Sequence, residues 1–147
     1  MPAAVTGLEV ELIVHATEDP EKALAAIMNI LPEEARGRVR FKSKELKGHH
    51  GNPIRLLRTR VRDRALAAAI FRHVLSRLPE PDRERLLRWE LKRRVSGGSL
   101  YLRLDKQWAF LGQVRLCQAD PIWMKVKFSS SRLEDIREAC EEACQVP

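Results

Sequence analysis

Leu8, Val10, Leu12 and Val14 alternate with Glu9, Glu11, Ile13 and His15, which is the period of a half-buried strand. Asp19 and Pro20 then supply a helix cap and a first-turn proline. Leu24, Ile27, Met28 and Leu31 follow at helical spacing until Pro32 stops the run. Over 38–46, Val39 and Phe41 point one way and Arg38, Arg40, Lys42 and Lys44 the other. A break at Gly48-His49-His50-Gly51-Asn52-Pro53 leads to a second basic strand at 54–62, carrying Arg55, Arg58, Arg60 and Arg62 and expected to pair antiparallel with the first. Asp63 caps a helix whose Ala67, Ile70, Phe71, Val74 and Leu78 make an apolar stripe, and Pro79 and Pro81 end it.

The second half reads mostly as hairpins. A short turn of helix near Asp82–Leu87 precedes an expected strand at 88–95, and Ser96-Gly97-Gly98-Ser99 supplies a tight turn. On the return strand Leu100, Leu102 and Leu104 oppose Tyr101, Arg103 and Asp105. An irregular piece containing Trp108, Phe110 and Gly112 follows, then strands at 113–117 and 122–128 joined across Ala119-Asp120-Pro121. In the last strand Ile122, Met124, Val126 and Phe128 face inward and Trp123, Lys125 and Lys127 outward. Ser131 and Glu134 spell a capping box for an acidic helix over about 131–144. The expected architecture over 1–147 is therefore a single α+β domain, a mostly antiparallel sheet with helices packed on one face. Such a sheet keeps its other face open.

Composition changes this picture through the placement of charge. The chain has 147 residues and a formal net charge of +7, and 44% of its residues are hydrophobic. Residues 1–35 hold one base, Lys22, and seven acids; residues 36–128 hold 24 bases and eight acids; residues 129–147 hold two bases and five acids. Folding does not require such segregation, and a one-sided field concentrates anionic partners, nucleic acid first among them. No basic N-terminal segment precedes an apolar run, and no apolar run approaches the roughly 20 residues of a membrane span. The expectation is a soluble, cytoplasmic chain without membrane association. Cys117, Cys140 and Cys144 form no disulfide framework and no metal-ligand spacing, so they read as reduced thiols.

The outward strand positions Arg38, Arg40, Lys42, Lys44, Lys92, Arg94, Arg103, Lys125 and Lys127, with Tyr101 and Trp123 among them, combine phosphate-holding cations with rings able to stack a base. Packing at a helix or subunit interface is the plain alternative for the two aromatics. Gly48-His49-His50-Gly51 spells the G-x-x-G of a KH domain, but its flanks read as strands and not as the helices that motif requires. The loop's His49, His50 and Asn52 would lie beside the arginines. A nuclease assembled from Asp105, Asp120 and His49 is not demanded by any spacing. The chain is thus expected to lack catalytic residues, a metal and a cofactor.

His15-Ala16-Thr17-Glu18-Asp19-Pro20, Gly48 to Ile54, Leu100-Tyr101-Leu102-Arg103-Leu104-Asp105-Lys106-Gln107 and Asp120-Pro121-Ile122 together resemble an archaeal family of small RNA-binding proteins labelled predicted exosome subunits, over about 8–128. The resemblance implies an archaeal cytoplasmic protein with a fold similar to the large-subunit ribosomal protein that binds 5S ribosomal RNA. The expectation drawn from residues and resemblance is an RNA-binding accessory protein of RNA processing or ribosome metabolism, with exosome or ribosome components as further partners. Its RNA contacts are expected at Arg38, Arg40, Lys42, Lys44, His49, His50, Asn52, Arg58, Arg60, Arg62, Tyr101, Arg103, Trp123 and Lys125. The rival is a protein-interaction adaptor or homodimer using the open sheet face.

Overall fold

In a computed structural model, described here for residues 2–47 and 51–145, the alternation of the first segment produces β1 (Val5–Val14). Leu8, Val10, Leu12 and Val14 are buried beneath helix α3, while Glu9, Glu11 and Ile13 stay partly exposed on the opposite face. The chain continues through α1 (Pro20–Ile30), the single turn α2 (Glu33–Arg36), β2 (Lys42–Lys47), β3 (Pro53–Val61) and α3 (Arg64–Arg77). A continuous helical stretch follows, made of α4 (Glu80–Glu84), a π-helical segment (Arg85–Glu90) and α5 (Leu91–Arg94). Strands β4 (Val95–Ser96) and β5 (Ser99–Asp105), helix α6 (Lys106–Phe110), β6 (Pro121–Phe128) and α7 (Leu133–Gln145) complete the chain.

The six strands form one antiparallel sheet in the order β2-β3-β1-β6-β5-β4. One face carries the core. Leu57 and Val61 of β3, Leu8, Val10, Leu12 and Val14 of β1, Leu100, Leu102 and Leu104 of β5, and Ile122, Met124 and Val126 of β6 are all buried. They meet Leu66, Ile70, Phe71 and Val74 of α3, against which α7 packs Ile136, Ala139, Cys140 and Ala143. Burial pushes the Cys140 thiol up to about 12 and keeps it protonated. Among the described residues no helix is long and apolar enough to cross a membrane.

The local signals work as chemistry predicts at several boundaries. The Asp19 carboxylate accepts from the Glu21 amide with Pro20 in the first turn of α1, and Asp63 accepts from the Leu66 amide at the start of α3. Gly97 and Gly98, at φ 59° and 81°, form the two-residue turn between β4 and β5 that demands left-handed backbone.

Four expectations are corrected. The region 88–95 is helical except at Val95, so Lys92 and Arg94 sit on α5 and not on a strand. Leu86, Glu90 and Leu91 are buried, and Glu90 binds Arg85 at 3.0 Å and Arg94 at 3.3 Å, contacts that helical spacing brings within reach. The first basic strand begins at Lys42, because the amides of Arg38 and Val39 donate to the Ala35 carbonyl and Val39 turns into the core. Arg38 and Arg40 therefore precede the strand. The 113–117 segment lies along β5 through a Leu104–Leu116 bridge, not along β6, and the piece containing Trp108 and Phe110 is α6. At the start of α7 the hydroxyl at work is that of Ser130, which accepts from the Arg132 amide and donates to Asp135 at 2.7 Å, in place of a Ser131–Glu134 box.

One end of the sheet is tied by a buried cation. The ammonium of Lys106, only 8% exposed, donates to the Ile13 carbonyl at 2.6 Å and lies 3.2 Å from Glu18 and 3.0 Å from Asp120. His15 Nε2 is 2.9 Å from the same Asp120 oxygen. Burial opposes ionisation of Asp120, but hydrogen bonds from His15 and Lys106 outweigh it and hold the carboxyl below its ordinary value. Replacing Lys106 by Met leaves two neighbouring carboxylates and an unpaired carbonyl, and should lower unfolding free energy by about 2 kcal/mol in urea titrations.

His73, on α3, supplies a pH-dependent term. Burial first, then Arg77 and Arg36, lower its pKa from 6.5 to about 4. Between those values the unfolded chain takes up a proton that the native chain refuses, so stability falls as pH drops through the window. His73→Gln should flatten that decline, as read from denaturation midpoints measured across it.

Candidate nucleic-acid interface

Period-2 geometry and the strand register decide which side chains share the open face. Directly paired residues form two rows across the sheet. In one, Lys42 is opposite Arg58, Arg58 opposite Glu11, Glu11 opposite Trp123, and Trp123 opposite Arg103. In the other, Arg60 is opposite Glu9, Glu9 opposite Lys125, and Lys125 opposite Tyr101. Lys44 stands one row further along β2, opposite Leu56. Arg55 pairs with Val14 and so belongs to the other face.

Glu9 and Glu11 divide this face electrostatically. Arg58 binds Glu11 at 2.7 Å, Arg60 binds Glu9 at 2.8 Å, and Lys125 lies 3.8 Å from Glu9. Arg38 is held by Asp63 at 2.8 Å. Hydrogen bonding from the Leu66 amide, with a further contribution from Arg38, keeps the Asp63 carboxyl below its usual value against a smaller opposing effect of burial. Among the described residues Arg40, Lys42, Lys44 and Arg62 have no carboxylate partner. Of the nine cations expected in the site, Arg38, Arg58, Arg60 and Lys125 are matched to acids, and five, Arg103 included, have no carboxylate partner among the described residues.

The unneutralised group borders a groove. Pairing between β2 and β3 stops at Lys42–Arg58, so Thr59–Val61 of β3 have a strand neighbour only in β1. The chain before Lys42 is drawn aside by Val39. The resulting cavity, of ≈ 590 Å³, is lined by Arg40, Lys42, Arg58, Thr59, Arg60 and Arg62. A second, of ≈ 240 Å³, shares Arg40, Thr59, Arg60 and Arg62 and extends to Arg38, Val39 and Leu66. Five guanidinium or ammonium groups surround the first space. Paired cations can exchange a carboxylate for a phosphate at modest cost, because exposed ion pairs are worth only about 0–1 kcal/mol.

On the far side of Glu9 and Glu11 the two aromatics meet cations. The Arg103 guanidinium lies 4.8 Å from the Trp123 ring centroid, and the Lys125 ammonium 5.5 Å from that of Tyr101. Tyr101, Arg103, Trp123 and Lys125 thus form one cluster on the sheet, separated by β1 from the groove. Asn52 is exposed at the start of β3 beside Gly51, and His49 and His50 fall outside the described residues.

His15, Glu18, Asp105, Lys106 and Asp120 gather at one end of the sheet, bringing three of the family-like stretches together. The ligand atoms of His15, Glu18 and Asp120 lie within 4.8 Å of one another, but the Lys106 ammonium already sits among the carboxylates and supplies their counter-charge. The Asp105 carboxylate caps α6 by accepting from the Trp108 amide.

Sequence reasoning missed the neutralising part of Glu9 and Glu11. Their alternation with buried residues signals the open face, but the strand order that places them between two basic strands is not locally encoded.

Against known proteins, the model of a family described as RNA binding matches residues 7–128. An RNA-binding protein of Pyrococcus abyssi is 30% identical over 140 residues, 92% of this chain and 91% of that one. A protein of Methanocaldococcus jannaschii is 33% identical over 120 residues, 80% of each chain. The crystal structure of a protein from Archaeoglobus fulgidus superposes with a TM-score of 0.78 at 31% identity, covering 95% of this chain and 99% of that one. By match length, identity and fold, this chain belongs to the RNA-binding family whose sampled relatives are archaeal.

Proposed function

We propose that the chain is an RNA-binding accessory protein of RNA processing or ribosome metabolism that holds structured RNA against its open sheet face. The observation that carries this reading is the groove where Arg40, Lys42 and Arg62, free of carboxylates, join Arg58 and Arg60 around a space of ≈ 590 Å³. Phosphate contacts come from these five residues, with Arg38 and Lys44 at the margins; Asn52, next to the Lys47–Pro53 end of the β2–β3 pairing, stands at the far end of that hairpin from the groove. Tyr101, Trp123, Arg103 and Lys125 provide a second-rank patch for sugar and base edges. Contacts dominated by phosphate make binding salt-sensitive and tolerant of sequence. Association with exosome or ribosome components, a fold related to the 5S-binding ribosomal protein and a cytoplasmic setting extend the same reading and rest on the sequence resemblance.

A second reading has one observation in its favour. Phe110 and Leu111, 45% and 66% exposed, form with half-exposed Trp108 an apolar patch at the end of α6 suited to a protein partner. In that reading the chain is an adaptor or homodimer without RNA contact of its own.

Titrating the protein with a duplex RNA at several salt concentrations separates the two. The RNA reading expects log affinity to fall steeply with log salt, and Arg40→Ala, Lys42→Ala and Arg62→Ala together to reduce the slope by about 2–3 units. A slope left intact removes these residues from the site, and no binding beside firm dimerisation favours the adaptor. Glu9→Gln with Glu11→Gln releases Arg58, Arg60 and Lys125, so affinity should rise several-fold at low salt and the slope steepen. Unchanged binding in that variant would show that the paired cations take no part.

A further inference from the structure

Helix in place of strand over 88–94 turns one large side chain out to solvent. On a strand Trp89 would alternate with Arg88 and Glu90 and point inward with Leu91 and Val95. On the observed helix it points to solvent, 73% exposed, the highest value among the large exposed hydrophobic residues. Tryptophan is usually well buried, so a single one standing this far out calls for an explanation. The ring is also bare. Trp108 lies under the Arg115 guanidinium at 4.0 Å and Trp123 under that of Arg103 at 4.8 Å, whereas no described residue stacks on Trp89.

Its surroundings are cationic. Arg85 and Arg93 lie four residues to either side and Lys92 three residues on, positions that share a helix face, and all three are exposed. Arg85 is paired with Asp82 and Glu90, while Lys92 and Arg93 have no carboxylate partner among the described residues. The platform is rigid. Leu86 and Leu91 are buried, Arg137 of α7 donates to the Leu87 carbonyl, and Glu90 is clamped between Arg85 and Arg94. A narrow crevice lined by Glu90, Arg94, Tyr101 and Arg103 runs between this helix and the aromatic cluster of the open face.

We propose that Trp89, with Lys92 and Arg93, is a second RNA contact, stacking one unpaired base of a strand whose paired part lies on the sheet. This inference rests on the RNA-binding reading and adds to it a preference for a single-stranded flank. A bare indole offers a face to any base, and two free cations beside it fit the flanking phosphates. Strands are about 4.8 Å apart, so from β3, at the groove, to β4, next to α5, is about 20 Å. One RNA can span that distance with its duplex at one end and a single-stranded flank at the other.

The test compares a blunt RNA hairpin with the same hairpin carrying a single-stranded flank long enough to cross the sheet. The unaltered protein should bind the flanked RNA roughly 5- to 150-fold more tightly, the range expected of one stacked base. Trp89→Ala should abolish that increment and leave blunt-hairpin affinity unchanged, with Trp89→Phe restoring most of it. Lys92→Ala with Arg93→Ala should lower the salt slope for the flanked RNA by about 0.7 per charge, and not for the blunt one. An unaltered protein that binds both RNAs equally, or a Trp89→Ala variant that keeps the increment, overturns the second contact. Binding lost with Arg40, Lys42 and Arg62 but indifferent to Trp89 overturns it while leaving the groove in place; no binding of either RNA overturns both readings.

Discussion

Burial of Leu8, Val10, Leu12 and Val14 under α3 fixes the register of β1, and β1 is the strand against which both halves of the sheet are aligned. A one-residue slip in a strand with one buried face would turn its entire apolar set outward, so the core leaves a single acceptable alignment. That alignment brings Glu9 and Glu11 up between Arg58 and Arg60 on one side and Lys125 and Trp123 on the other. The apolar residues on the hidden face thereby dictate the charge pattern on the visible one.

That pattern is graded. Two carboxylates in the middle strand neutralise their immediate neighbours, and unneutralised charge survives where the acids do not reach, around Arg40, Lys42 and Arg62. The peeling of the chain away from β3 at Lys42 opens space beside the same residues. Excess charge and accessible volume therefore coincide, whereas a uniformly basic sheet would spread its field without a preferred seat for a ligand.

Much of this was legible in the sequence. The alternation in β1, β5 and β6, the Asp19 and Asp63 caps and the double-glycine turn are local signals, and each formed the element its spacing dictates. The helical residues 88–94 read as a strand because Trp89, Leu91 and Val95 happen to alternate with charged residues. Glu90 four residues before Arg94 is a helical signature that points the other way. The basic groove was only half legible. Its cations stand out in the sequence, but the acids that cancel some of them come from a strand more than forty residues away. A strand order with β1 between β3 and β6 cannot be read from neighbouring residues.

The sheet's two borders carry a separate implication. Its outer strands are β2, exposed and bearing Lys42, Lys44 and Lys47, and β4, only two residues long. Lysines along an outer strand and extreme shortness are both devices that discourage a foreign strand from hydrogen-bonding alongside. Two copies brought close together, whether crowded on one polymer or concentrated in a cell, are consequently steered away from edge-to-edge polymerisation. Any association between them is left to the broad faces and the helices.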